Sequence, residues 1–242
     1  MFQFKINDDL EEGECILGHL SMLLDVKLSN CGKFIITSDR DEKIRVSRFP
    51  NAYNIHNYCL GHTDFVTCIG LFSNFDNLLI SGSGDGTLRI WDFLKGTEIV
   101  PEVICAQDAD LEQLKIDENS QEQANEVKVK RTTNWPSILG VRISSQDDQK
   151  ACHIFVTVEK FDGVLMYEFT NSTLKFVRKI PAKTPVWDFG TLNKNDFIVL
   201  EASEETPVSV MKVNGNEVKN ESVHFDGIQE FFKGKFDLFK QL

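Results

Sequence analysis

Five histidines, six cysteines and one glycine-rich run are the parts of this 242-residue chain whose chemistry could build a site. The run is Gly82-Ser83-Gly84-Asp85-Gly86. A glycine loop that cradles a cofactor follows a strand and opens a helix, so that anionic groups meet helix N-terminal N–H groups. Here the run leads into Thr87-Leu88-Arg89-Ile90-Trp91-Asp92-Phe93, a β pattern, so it reads as a hairpin turn. His56, His153 and His224 stand apart from other candidate ligands. Cys15, Cys31, Cys59, Cys68, Cys105 and Cys152 form no C-x-x-C pair. They read as reduced, small core or near-core residues of a cytosolic or nuclear protein, not as a zinc site or disulfide frame. No G-x-S-x-G elbow and no H-E-x-x-H helix is present. The chain is expected to hold no catalytic group, no cofactor and no metal.

The remaining histidines suggest a structural role. His19 and His62 each follow a glycine. His62, Ser81, Asp85 and Trp91 have the types and spacing of a buried hydrogen-bonded chain: imidazole, hydroxyl, turn carboxylate and indole N–H. Such a chain lets each buried polar group find a partner, which is the condition for burying it.

These residues belong to a repeat. Gly18-His19 recurs as Gly61-His62, 43 residues later. Phe34-Ile35-Ile36-Thr37 then meets Leu78-Leu79-Ile80-Ser81, and Asp41-Glu42-Lys43-Ile44-Arg45-Val46 meets Asp85-Gly86-Thr87-Leu88-Arg89-Ile90. The second copy ends in Trp91-Asp92, the signature of WD40 repeats, whose period is that of a four-stranded propeller blade. The first copy has Ser47-Arg48 at that place, so it is expected to keep His19, Thr37 and Asp41 but to lose the indole. Strand patterns at Ile138–Ser144, His153–Val158, Val164–Phe169 and Leu174–Ile180 predict a third blade. Val186–Thr191, Phe197–Ala202 and Val208–Val213 predict three strands of a fourth, with Trp187-Asp188 in its first strand rather than as a second signature.

The fold class is therefore all-β: a WD40 β-propeller of about four blades plus a partial one, over residues 1–223. Residues 106–133, rich in Asp and Glu, are expected to form a solvated acidic insertion loop. Residues 224–242 form a Phe- and Lys-rich tail, with a short helix as one expectation. Phe2–Ile6 alternates like one strand, so the chain reads as entering partway through a blade; against closure of four blades and a strand as a small propeller, earlier blades are expected to be missing. The acidic start and the lack of an 18-residue apolar run argue against a secretory signal and a membrane-spanning helix. The net charge of −11 argues against wrapping nucleic acid alone, because phosphate binding needs clustered Lys and Arg.

Two runs are more specific than a generic blade: residues 18–29, GHLSMLLDVKLS, and residues 38–66, which contain DRDEKIRVSRFPNAYNI. They resemble the WD-repeat, non-catalytic subunit of the tRNA 7-methylguanosine methyltransferase, the Wuho family. The strong resemblance covers about residues 14–100, and the FFKGKFDLF tail is similar more loosely. It implies a seven-bladed propeller that docks side-on to a catalytic subunit with an S-adenosylmethionine-binding fold. That partner methylates a guanine in the tRNA variable loop. The resemblance further implies a heterodimer, tRNA contact mainly through the complex, and a largely nuclear location with the cytoplasm second. Against that seven-bladed pattern, about two blades are expected to be absent at the start of this chain.

The docking residues expected within that block are Arg40, Glu42, Lys43 and Arg45. Strand alternation sends Ile44 and Val46 to the core and Lys43 and Arg45 outward. Mixed charges on a rigid turn suit partner choice and orientation more than raw affinity. Against this stand a solvated hairpin, a generic WD scaffold such as a ubiquitin-ligase adaptor or chromatin-complex subunit, and direct tRNA binding near Lys128, Lys130 and Arg131.

Overall fold

The computed structural model describes residues 1–3, 13–110, 135–145, 151–191, 196–201, 208–214 and 217–222. The tail from residue 223 on, Lys128, Lys130, Arg131 and most of the acidic segment lie outside these. A short ladder pairs β1 (Phe2–Gln3) with β2 (Glu14–Cys15). Four antiparallel four-stranded sheets follow, each a run of consecutive strands. The first blade is β3 (Leu23–Leu28), β4 (Phe34–Asp39), β5 (Ile44–Arg48) and β6 (Ile55–Cys59). The second is β7 (Cys68–Leu71), β8 (Leu78–Gly82), β9 (Thr87–Asp92) and β10 (Thr97–Ile104). The third, after the short helix α1 (Cys105–Asp108), is β11 (Ile138–Ser145), β12 (Ala151–Val158), β13 (Gly163–Thr170) and β14 (Thr173–Pro181). The fourth is β15 (Val186–Thr191), β16 (Asp196–Glu201), β17 (Val208–Asn214) and β18 (Glu217–Ser222). The first strands stand side by side in the order β3, β7, β11, β15, the arrangement of propeller blades about an axis.

Period-two alternation explains why the blades stack. In β13, Leu165, Tyr167 and Phe169 join the core shared with the second blade, while Val164 and Met166 join the core shared with the fourth. In β8, Ile80 faces the third blade and Leu79 faces the first. Each middle sheet is thus buried on both faces, which is why its strands read as nearly continuous apolar runs. A fully buried aliphatic side chain contributes about 1.5–3 kcal/mol, so these layers carry the stacking. On the far side of the first blade, Ile35 and Ala52 pack with Met1, Ile16 and Leu17.

Polar ties repeat at each blade junction. Asp25 of β3 accepts the Ile69 N–H at 2.9 Å, the Thr67 hydroxyl donates to the Ile138 carbonyl at 2.6 Å, and Arg142 of β11 donates to Asp188 of β15 at 2.7 Å. Such bonds fix the register of one blade on the next, where apolar packing alone tolerates sliding.

Three expectations from sequence change. The fourth blade has a fourth strand, β18, which pairs with β17 from Ser209–Ser222 to Asn214–Glu217. Its sequence, EVKNES, holds one apolar residue, so hydrophobic patterning could not reveal it. The acidic segment does not begin as a solvated loop: residues 105–108 form α1, and Cys105, Ala106 and Ala109 are buried. Tyr167 donates to the Asp108 carboxylate at 2.8 Å, and Lys179 pairs with Asp110, so the segment starts pinned to the third blade. Of the cysteines, Cys59, Cys68, Cys105 and Cys152 are buried, but Cys15 and Cys31 are exposed, outside the near-core placement expected. Burial pushes the Cys68 thiol up to about 11 and, with Asp92 nearby, the Cys59 thiol up to about 12, leaving both protonated at neutral pH.

Candidate partner-binding surface

The surface of interest is the loop-and-turn end of the first blade, and the second blade shows how such an end is built. There, Trp91 donates its indole N–H to Ser81 Oγ at 2.8 Å, and Ser81 Oγ lies 2.7 Å from His62 Nε2. His62 Nδ1 lies 2.9 Å from Asp85 Oδ2. The set is satisfied when Nδ1–H donates to the carboxylate and Nε2 accepts the serine proton. Asp85 accepts three further bonds: from the Thr63 N–H at 3.0 Å, the Thr87 N–H at 2.9 Å and the Thr87 hydroxyl at 2.7 Å. Burial alone raises the Asp85 carboxyl, but the His62, Thr87 and Thr63 donors outweigh it, and the group sits well below the usual carboxylate range. Gly86 turns the chain with φ +79°, and a Cβ there would meet the Trp135 side chain at 2.5 Å. Only glycine fits that place without a shift.

The first blade builds its end differently. His19 Nε2 lies 2.9 Å from the Thr37 hydroxyl, and His19 Nδ1 lies 3.1 Å from Asp39 Oδ2. The carboxylate is therefore Asp39, not Asp41 as the repeat alignment has it. Asp39 Oδ1 also accepts the Asp41 N–H at 2.9 Å and the Lys43 N–H at 3.2 Å, so it braces the turn from within. Asp41 is exposed.

Where the second blade has Trp91 the first has Ser47, and Arg45 bonds to it. Its Nε donates to Ser47 Oγ at 2.9 Å, and its two terminal nitrogens donate to the Gly18 carbonyl at 2.9 Å and the Ala52 carbonyl at 3.1 Å. Strand alternation pairs Arg45 with Lys43 as outward basic residues. The structure separates them: Arg45 is half-buried with its guanidinium spent on its own blade, whereas Arg40, Glu42 and Lys43 are exposed together on the turn. A planar fork with several donors suits bridging two carbonyls, which the alternation rule could not foresee.

Glu42 holds φ +66° at the position where the second blade has Gly86. The left-handed region costs a residue with a Cβ about 1 kcal/mol. A side chain kept at a strained turn position is a recognised mark of function. Among the described residues no group of three or more His, Cys, Asp or Glu is placed to hold a metal ion, and no helix is long and apolar enough to cross a membrane.

Residues 5–225 match the family described as the tRNA methyltransferase TRM82 WD40 domain. The chain belongs to this family. Among relatives of the TRM82 WD40 domain, the "tRNA (guanine-N(7)-)-methyltransferase non-catalytic subunit wdr4" of Danio rerio is 36% identical over 211 residues, covering 86% of this chain and 46% of that protein. The protein of the same description from Homo sapiens is 46% identical over 99 residues, covering 41% of this chain and 24% of that one. The chain thus spans less than half the length of these relatives. Among solved structures, the WD40 repeats of RRP9 superpose with a TM-score of 0.60 at 12% identity, covering 86% of this chain and 53% of that one. That likeness shows the WD40 propeller fold.

Proposed function

We propose that this TRM82-type chain is a non-catalytic subunit that binds and steadies the methyltransferase forming 7-methylguanosine in the tRNA variable loop. The observation that carries the proposal is the family match over residues 5–225. The exposed turn Arg40–Lys43 supports a docking role, because its inner side is braced by Asp39 and its charges find no ion pair among the described residues. On this reading Arg40, Glu42 and Lys43 meet the catalytic subunit directly, and Arg45 is a positioning residue that holds the adjoining loop. The net charge of −11 favours tRNA contact through the complex rather than through this chain alone. Nuclear residence is part of the same proposal, and imaging of the tagged chain tests it.

Lys43→Glu is the direct test, since the exposed Lys43 side chain makes no bond among the described residues that the fold would lose. We expect binding to the catalytic subunit to weaken about tenfold at low salt, mostly in the association rate, with the gap narrowing as salt rises. Calorimetry at two ionic strengths reads this out. Equal affinity of variant and wild type at low salt would remove the turn from the interface.

A further inference from the structure

The loop Gly18–Met22 departs from its counterpart in the second blade in a way that folding does not explain. Counting from the paired histidines, Leu20 corresponds to Thr63 and Met22 to Phe65. In the second blade Phe65 lies over the turn: a Cβ added to Gly84 would meet its ring at 2.6 Å. The first blade has Arg40 in place of Gly84, whose side chain denies Met22 that seat. Met22 is left 59% exposed and Leu20 fully exposed at 109%.

This apolar surface is held rigidly. The Gly18 carbonyl accepts from Arg45 at 2.9 Å. The His19 ring is fixed by Thr37 and Asp39. The Met22 carbonyl accepts the Arg40 N–H at 3.0 Å. Three pins in five residues present two large side chains to water, directly beside the charged turn of Arg40, Glu42 and Lys43. An apolar centre with a charged rim, on backbone that need not be ordered on binding, is the anatomy of a binding hot spot.

We infer that Leu20 and Met22 are the apolar anchor of the docking surface and insert into a shallow apolar recess, flanked by carboxylates, on the catalytic methyltransferase subunit. This rests on the function proposed above and adds the part of the contact that supplies affinity. The mixed charges of the rim suit a folded protein surface; a phosphate backbone calls for cations alone. Desolvating two side chains that the free chain leaves wet is favourable without a matching cost of ordering.

The test is calorimetric titration of the purified catalytic subunit with the full chain and with Leu20→Asp, Lys43→Glu and Tyr53→Asp. Tyr53, 72% exposed in the β5–β6 turn and outside both the Gly18–Met22 loop and the Arg40–Lys43 turn, is the control. Leu20 is fully exposed, so Leu20→Asp leaves the melting temperature unchanged, and Met22→Asp provides a second reading. We expect Leu20→Asp to weaken binding about thirtyfold or more, with little dependence on salt, and Tyr53→Asp to bind as wild type. Wild-type affinity of Leu20→Asp and Met22→Asp, with Lys43→Glu weakened, would overturn the anchor and leave the docking turn standing. A wild-type chain that does not bind the catalytic subunit at all would overturn the proposed function and the anchor together.

Discussion

Trp91→Ala is expected to lower the free energy of unfolding by about 4 kcal/mol, among the largest losses any single substitution in this chain should produce. The indole is 1% exposed and packs with Ile36, Val46, Ile69, Leu79 and Phe93 in the layer between the first two blades. Its loss opens a cavity at that junction and also takes away the donor that Ser81 Oγ accepts at 2.8 Å. Both effects have the same sign, and a domain's whole stability is about 5–15 kcal/mol. Trp91→Phe separates them in part, because it keeps much of the packing while the hydrogen bond, at about 1–2 kcal/mol, is lost. Denaturant midpoints for the two variants measure the split. Equal losses would mean that the hydrogen bond, and not the packing, carries the residue's contribution.

Asp85→Ala should cost about 3 kcal/mol or more for a different reason. One carboxylate takes four bonds, from His62, the Thr63 N–H, and the Thr87 N–H and hydroxyl. Removing it takes the carboxylate partner from the buried His62 and Thr87 donors. The same geometry predicts a pH dependence whose sign follows from the lowered folded-state value of Asp85. A carboxyl held below its unfolded value of about 4 adds stability that is fully present above that pH and is lost as pH falls toward the folded value. Stability should therefore decline below about pH 4, and Asp85→Asn should flatten that acid limb while starting from a lower plateau. Urea unfolding from pH 7 to pH 3 makes the comparison. An acid limb as steep in Asp85→Asn as in wild type would show that other carboxylates set it.

What could be read in the sequence follows from where signals are strong. The repeat in residues 18–92 locates β4, β5, β8 and β9 of the first two blades, because a blade packed on both faces writes its strands as apolar runs between polar turns. The His62–Ser81–Asp85–Trp91 arrangement follows from residue types at fixed spacing, and the structure sets those four within hydrogen-bond reach. Strand β18 was hidden because an outermost strand is held by its ladder and needs few apolar residues.

The candidate surface was harder to read. Asp41 aligns with Asp85, yet Asp39, which stands at the position of Ser83 in a turn of the same length, is the carboxylate that reaches His19. Strand alternation sent Arg45 outward, and it does leave the core, but its long side chain turns back to the carbonyls of Gly18 and Ala52. Leu20 and Met22 look like any loop residues in the sequence. Only the exposure of two large apolar side chains, where the sister blade has the polar Thr63 and the half-buried Phe65, distinguishes them.

The most direct test of the central claim is to co-express this chain with the catalytic methyltransferase subunit, purify through a tag on the chain, and measure 7-methylguanosine formation on tRNA. The account predicts a one-to-one complex whose activity exceeds that of the catalytic subunit alone. It also predicts that the chain by itself, given S-adenosylmethionine and tRNA, forms no product. A catalytic subunit that fails to co-purify and is equally active without the chain would contradict it.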